Sequence, residues 1–171
     1  MEGEREESMN DTNQYLTFTL EGEQYAISVL KVREVLEYTR ITKIPKTAAY
    51  MKGVINLRGS GVPVIDLRAK FGMGEAPNSK DTSIIVMEVE GGNGGVVLGA
   101  LADSVQEVIE LEPSQIEPPP RFGTRLATEF ILGMGKRDDK FIILLDIDKI
   151  FSSDEVVFLK EIETEKETVQ A

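Results

Sequence analysis

Cysteine and histidine are both absent from the 171 residues. Without cysteine there is no disulfide framework and no thiol chemistry, and without histidine there is no imidazole acid–base catalysis. Zinc loses its usual nitrogen and sulfur ligands with them. No apolar run approaches the roughly 20 residues that span a bilayer. The first residues, MEGEREE, are acidic where a signal peptide would be basic and then apolar. Positive charge is scarce as well: 19 Lys and Arg face 30 Asp and Glu, for a net charge of −11. Residues 1–13 and 152–171 each carry −4, so the middle carries only −3. A phosphate backbone would find no basic stripe, which argues against nucleic acid. These absences point to a soluble intracellular protein with no direct membrane insertion.

A hydrophobic fraction of 41% is enough for a core. The chain is organised around KGVINLRGSGVPVIDLRAKFG, residues 52–72. Val54 to Leu57 and Val62 to Leu67 are apolar runs rich in Val and Ile, which favour strands. The Gly-Ser-Gly between them permits a tight reversal, so the block reads as a buried hairpin. Pro63 lacks an N–H and fits only an edge or a strand start. Arg58 ends an apolar run with no reason to be buried, which makes it a candidate surface contact.

Around this block the chain reads mostly as short strands. Tyr15 to Leu20 alternates, turns at Glu21-Gly22-Glu23 and returns through Gln24 to Ile27. Ser28 is a candidate cap for a short helix reaching Arg33 or Leu36, although β-branched Val29, Val32 and Val35 leave helix and strand both open. Residues 73–81 are the best internal linker. Thr82 to Val89 and Val96 to Leu101 pair across the glycine-rich 91–95, which lacks the Lys-Ser/Thr pair of a phosphate loop. Phe130 to Met134 and Phe141 to Leu145 form a further hairpin. Asp66 and Asp146 each open a short helical turn as structural caps. Residues 154–160 extend as helix, and 1–13 and 161–171 read as flexible acidic tails.

A weak internal repeat runs through the sequence. VREVLE at 32–37 is similar to VQEVIE at 105–110, and VIDLRAKF at 64–71 is similar to LLDIDKIF at 144–151. Gly53 and Gly133 stand at the same offset of 80 as the second match. Two related halves of short strands with glycine-rich turns argue for small barrels. Chemistry is harder to find. Asp66, Asp103, Asp146 and Asp148 are the candidate carboxylates, but no spacing pairs them across a cleft. Asp138-Asp139 lies between Arg137 and Lys140 as a solvated turn, and Ser28, Ser60, Ser83 and Ser104 have no histidine base. The chain reads as a non-enzyme with no metal and no cofactor.

QYLTFTLEGEQYAISVLKVREVL at 14–36, MKGVINLRGSGVPVIDLRAKFG at 51–72, VLGALADSVQEVIEL at 97–111 and RLATEFILGMGKRDDKFIILLDIDKIF at 125–151 resemble, in this order, the CheW family of bacterial chemotaxis coupling proteins. The resemblance implies a mostly β fold of two SH3-like five-stranded β-barrels packed around a shared hydrophobic core, with short helices. The linker puts a sequence-order boundary near residue 78, with a first barrel region at 14–78 and a second at 79–151 and strand exchange between them left open. The resemblance also implies a non-enzymatic adaptor that couples the cytoplasmic tips of methyl-accepting chemoreceptors to the regulatory domain of the histidine kinase CheA. That adaptor would be cytoplasmic and recruited to membrane-associated arrays, where it alternates with the kinase domain in rings. Val32, Glu34, Asn56 and Arg58 match the family's receptor contact. Ser83, Ile85 and Met87, on a run that reads as an edge strand, are assigned to the kinase. Within GALAD at 99–103, small Ala100 and Ala102 depart from the family's usual branched-aliphatic run. A coupling module of a CheV-like protein and a carboxylate-dependent hydrolase are the alternatives.

An adaptor whose two different faces work only by repetition in an array has weak single contacts. The isolated chain is therefore expected to be a monomer at micromolar concentration by light scattering. A tight homodimer that blocked kinase binding would count against this reading.

Overall fold

The protein is described by a computed structural model over residues 13–45, 47–74, 79–90, 95–119 and 129–170, the side chains of 163–170 excepted. The expected N-terminal tail up to residue 12, residues 75–78 of the 73–81 linker, residues 91–94 and the segment 120–128 lie outside the described residues. Eleven strands are described: β1 (Gln14–Leu20), β2 (Glu23–Ser28), β3 (Val32–Glu37), β4 (Met51–Leu57), β5 (Ser60–Asp66), β6 (Ser83–Val89), β7 (Val96–Ala102), β8 (Ser104–Glu110), β9 (Ile116–Glu117), β10 (Ile131–Arg137) and β11 (Lys140–Leu145). Two α-helices accompany them, α1 (Leu67–Lys70) and α2 (Ser153–Gln170).

The strands form two sheets. One has the order β3-β6-β7-β5-β4, the other β8-β1-β2-β11-β10-β9. Each sheet takes strands from both sides of residue 78, because β1 and β2 join the later strands and β6 and β7 join β3 to β5. The two orders become the same when β3, β4, β5, β6 and β7 are matched with β8, β10, β11, β1 and β2. This is the sequence repeat seen in three dimensions. β5 runs parallel to β7 as β11 runs parallel to β2. Gly53 and Gly133, 80 residues apart, play the same part in the two halves. A Cβ on Gly53 would lie 2.1 Å from the Thr42 carbonyl oxygen, and one on Gly133 2.7 Å from that of Glu117. Only glycine lets a second backbone come that close. Thr42 bridges to Val54 in the first case, and β9 pairs with β10 in the second.

The fold is mostly β and matches the expectation of two SH3-like units. Its core explains why so many strands are apolar throughout. Among the described residues three buried clusters are present, one inside each barrel and one between the barrels. Along β6, Ile84 and Val86 point into the first barrel, whereas Ile85, Met87 and Val89 join the cluster between the sheets. Leu16, Phe18 and Leu20 of β1 meet them there from the other sheet. A strand covered on both faces needs apolar residues at both parities. Ala100 and Ala102 are fully buried in the shared cluster, so their small size sets packing between the sheets, not an outer face.

Several local expectations change. Ser28 caps only a 3-10 turn, Val29–Lys31, through its Oγ, which accepts from Leu30 N at 3.2 Å; strand follows at once. The β-branched residues and pairing to β6 decide for strand. The central hairpin turns on two residues only, Arg58 (φ 52°) and Gly59 (φ 92°), with Leu57 opposite Ser60. This is the twisted geometry that two-residue hairpins favour. Pro63 sits inside a strand, but pairing with β7 begins only at Val64, so no ladder to β7 is interrupted. β6 is not an edge: it lies between β3 and β7. The acidic segment after residue 160 is helical through Gln170 instead of a loose tail.

Short helices are fixed by their caps. The Asp66 side chain, fully buried, accepts from Arg68 N at 3.0 Å at the start of α1. Asp146 accepts from Asp148 N at 3.2 Å before the 3-10 turn Ile147–Lys149. α2 begins with a reciprocal cap: Ser152 N donates to Glu155 Oε1 at 2.8 Å, and Glu155 N donates to Ser152 Oγ at 3.1 Å. The same Glu155 carboxylate takes both oxygens to Lys70 Nζ, at 2.9 and 2.8 Å, and so ties α2 to α1. Lys70 Nζ also stands 4.6 Å from the centre of the Tyr50 ring. Burial, and then the Glu155 charge, push the Tyr50 hydroxyl up to about 12. Burial works against the ionised Glu155, but bonds from Lys70 and Ser152 outweigh it and hold its carboxyl below the usual range.

Loss of a helix cap costs about 1–2 kcal/mol. Asp66→Ala is expected to lower stability by about that amount in urea unfolding, and Asp66→Asn, which keeps a capping oxygen, by less. Because the folded Glu155 value is lowered, its contribution is full above the ordinary carboxylate value and is lost as pH falls through the folded value. Glu155→Gln should therefore melt below wild type at neutral pH. The gap should close as pH drops below about 4, read as thermal midpoints across a pH series.

Candidate functional site

β3 and β4 are opposite edges of the first sheet, yet a side chain of β3 meets one from the turn that follows β4. The sheet curls until the β4–β5 turn stands over β3. There the Arg58 guanidinium pairs with the Glu34 carboxylate through Nη2–Oε2, with Nη1 also 3.5 Å from Oε1. The Glu34 bonds and charge raise the Arg58 guanidinium above its ordinary value. The turn that aims Arg58 is braced by Asn56, whose Oδ1 accepts from Gly59 N at 2.8 Å. A register shift between Val32 and Glu34 in β3 decides the direction of Glu34. Before the shift, Val32 packs against the core between the barrels; after it, Leu36 packs inside the first barrel. One extra residue thus reverses the parity of the strand and turns Glu34 toward the barrel mouth.

The pair closes over a groove of about 660 Å³. Its floor is the end of the first barrel's core, where partly exposed Leu57 and Val97 lie over the buried Val62 and Val86. A second ion pair lines it, Arg33 with Glu88 at 2.8 Å. Lys160 of α2 completes the lining. Apolar floor and charged rim suit insertion of side chains from a partner more than chemistry on a small substrate. The four candidate carboxylates already have structural partners. Asp66 and Asp146 are caps, Asp103 binds Arg68 at 3.0 Å, and Asp148 binds Lys31 at 2.7 Å.

The structure therefore joins Glu34 and Arg58, makes Asn56 the brace of the turn, and sends Val32 to the shared core, outside the groove lining. The assignment of Ile85 and Met87 to a kinase contact is corrected. Both are fully buried and β6 has a neighbour on each side, so they are packing residues. Ser83 alone of that set keeps an accessible side chain, with its Oγ donating to the Asp81 carbonyl at 3.2 Å. Arg33, Glu88 and Lys160 went unrecognised in the sequence. The bulge at Arg33, the pairing of β3 with β6 that sets Glu88 beside it and the helix docking that delivers Lys160 leave no local signal.

Comparison with known proteins gives a consistent result. Residues 14–155 match the family described as CheW-like domain. The chain is 40% identical over 149 residues to the chemotaxis protein CheW of Klebsiella aerogenes, covering 87% of each chain. It is 30% identical over 152 residues to the chemotaxis protein CheW of Helicobacter pylori, covering 89% of each. Its structure is similar to the crystal structure of the scaffolding protein TtCheW from Thermoanaerobacter tengcongensis, with a TM-score of 0.74 and 38% identity over 85% of this chain and 93% of that one.

Proposed function

This chain belongs to the CheW-like domain family, as a non-enzymatic chemotaxis adaptor, and we propose that it couples chemoreceptor cytoplasmic tips to the histidine kinase CheA. The observation that carries the receptor half of this reading is the Glu34–Arg58 pair over the apolar mouth of the first barrel. In this reading the receptor tip is helical, and a helix binds a groove by inserting side chains at helical spacing. Leu57 and Val97, partly exposed over the buried Val62 and Val86, offer the apolar floor for such side chains. Arg58 fixes the register. Its side chain is 70% exposed even while paired, so its outer N–H groups remain accessible to a carboxylate or carbonyl on the receptor.

The kinase half calls for a second, separate surface. The adaptor and the kinase regulatory domain would alternate in a ring, one barrel of each meeting the opposite barrel of the other. The buried middle of β6 is excluded as that face; only Ser83 and Glu88, near its two ends, keep accessible side chains. Work at the receptor array also places the protein in the cytoplasm next to a membrane it does not enter; among the described residues no helix is long and apolar enough to cross one.

Arg58 lies on the surface, and exposed ion pairs contribute little to folding. Arg58→Ala is expected to leave the thermal midpoint and the affinity for CheA unchanged while weakening binding to an isolated receptor cytoplasmic fragment. Arg58→Glu, which sets two carboxylates against each other, should weaken it further, by about tenfold or more for a hot-spot residue. Receptor affinity unchanged in a folded Arg58→Glu protein would remove this groove from the receptor contact.

A further inference from the structure

Each barrel takes its central hairpin from the other half of the chain. The β6–β7 hairpin lies between β3 and β5, and the β1–β2 hairpin lies between β8 and β11. The two hairpins fill matched places, and both insert through a parallel pair, β7 with β5 and β2 with β11. An unexchanged arrangement would keep β1–β2 beside β3 to β5 and β6–β7 beside β8 to β11. It would have the same two strand orders. It would also close shorter loops, which chains form more readily. Something must select against it.

Two latches stand where the chain passes from one sheet to the other. At the β7–β8 crossover, Asp103 Oδ2 accepts from Arg68 Nη1 of α1 at 3.0 Å and from Glu21 N, just after β1, at 2.8 Å. At the β2–β3 crossover, Lys31 Nζ pairs with Asp148 Oδ2 at 2.7 Å, and Asp148 Oδ1 accepts from Glu90 N, just after β6, at 2.9 Å. The positions correspond in the repeat. Arg68 and Asp148 each follow a capping aspartate by two residues. Asp103 and Lys31 stand two and one residues before the matched Val105 and Val32. The polarity, however, is reversed. The cation is on the closing helical turn in one latch and on the crossover in the other. Arg68 also reaches Glu21 Oε2 at 3.5 Å, but the matched residue Glu90 is of the same type, so this contact favours neither arrangement. The four latch side chains are only 14–30% exposed, which limits screening of their charges.

We propose that these four charges select the exchanged topology. The first half of the chain supplies both cations, Lys31 and Arg68, and the second half both anions, Asp103 and Asp148. Exchange therefore makes two pairs of opposite charge. The unexchanged arrangement would pair β5 with β2 and β11 with β7. Arg68 would then stand beside Lys31, and Asp148 beside Asp103, with like charges in both latches. Such contacts destabilise the wrong pairing while the same residues stabilise the right one. The selection acts in folding and involves neither the groove nor any partner.

The test uses the full chain carrying Gln14→Cys, Glu37→Cys and Ser83→Cys, which are its only thiols. Glu37 stands opposite Ser83, and Gln14 opposite Glu110. In the unexchanged arrangement position 37 would instead face position 14. Refolding from urea in a glutathione buffer lets position 37 choose its partner. Peptide mapping of the monomer gives the ratio of 37–83 to 14–37 links, with circular dichroism as the folding control. That ratio is expected to exceed about tenfold without charge changes, the scale of two screened pairs made in place of two repulsions. Arg68→Asp with Asp103→Arg gives one latch the polarity of the other. Both native pairs stay opposite in charge, but both unexchanged pairs become opposite too, so the ratio should fall about tenfold. Adding Lys31→Asp and Asp148→Lys reverses all four charges and should restore it. Arg68→Gln with Asp148→Asn leaves no pair in either arrangement. It should also lower the ratio, and it decides the outcome where the swapped latch does not refold. A ratio unchanged in whichever of these two variants refolds would overturn the proposal. So would a folded four-charge reversal that fails to restore the ratio, because disturbed contacts and not charge would then be the cause.

Discussion

Two sheets that bury their outer faces against one another, as well as their inner faces within each barrel, set the terms for everything else in this molecule. Ile85, Met87 and Leu98 from one sheet and Leu16, Phe18 and Leu20 from the other fill the space between the barrels. Each such side chain contributes about 1.5–3 kcal/mol on burial. Neither barrel could keep this face in water. The interior of each is small, six fully or nearly buried residues apiece, so the shared cluster makes one folding unit of two barrels. α2 extends that cluster with Val156 and Leu159, and its capping carboxylate is also the partner of Lys70.

That constraint leaves little of the surface free for binding. Strands β6, β7, β1 and β2 are interior in their sheets and covered on both faces, so partner contacts fall to the sheet edges, the turns and the barrel mouths. The groove is such a place. β3 is an edge strand, Arg58 is on a two-residue turn, and Lys160 is on a helix face that docks beside them. The positive φ of Arg58 is part of the design. A glycine at this position would make the turn more easily, but only a long cation reaches Glu34 across the mouth.

The two halves also show how a repeat can diverge in function while keeping its frame. Asp66 and Asp146 cap the turn after the matched strands β5 and β11, and Gly53 and Gly133 admit a crossing backbone in β4 and β10. The turn positions differ. Arg58-Gly59 in the first half has Asp138-Asp139 as its counterpart, all four at positive φ. The groove with its apolar floor and paired charges belongs to the Arg58 end. Frame residues answer to backbone geometry, which is the same in both halves; turn side chains answer to partners, which need not be.

The sequence by itself determined the fold class, the strand and turn rhythm, the two capping aspartates, the absence of cysteine and histidine chemistry, and the family. All of these follow from local composition, spacing and short motifs, which the chain displays without folding. It also singled out Arg58 as a polar residue at the end of an apolar run. What it could not determine was set by contacts between residues far apart in the chain. The run Thr82 to Val89 looks the same as an edge strand or as one covered on both faces, and pairing with β3 and β7 decided for the second. Ser28 to Leu36 carries both helix and strand signals, and only the ladder with β6 resolved them. The exit of Val32 from the site and the entry of Lys160 both depend on tertiary placement. The first follows from a one-residue bulge, the second from the docking of α2 on β5 and β7. Parity along a strand and the azimuth of a docked helix are properties of the partner surface, and one stretch of sequence does not contain them.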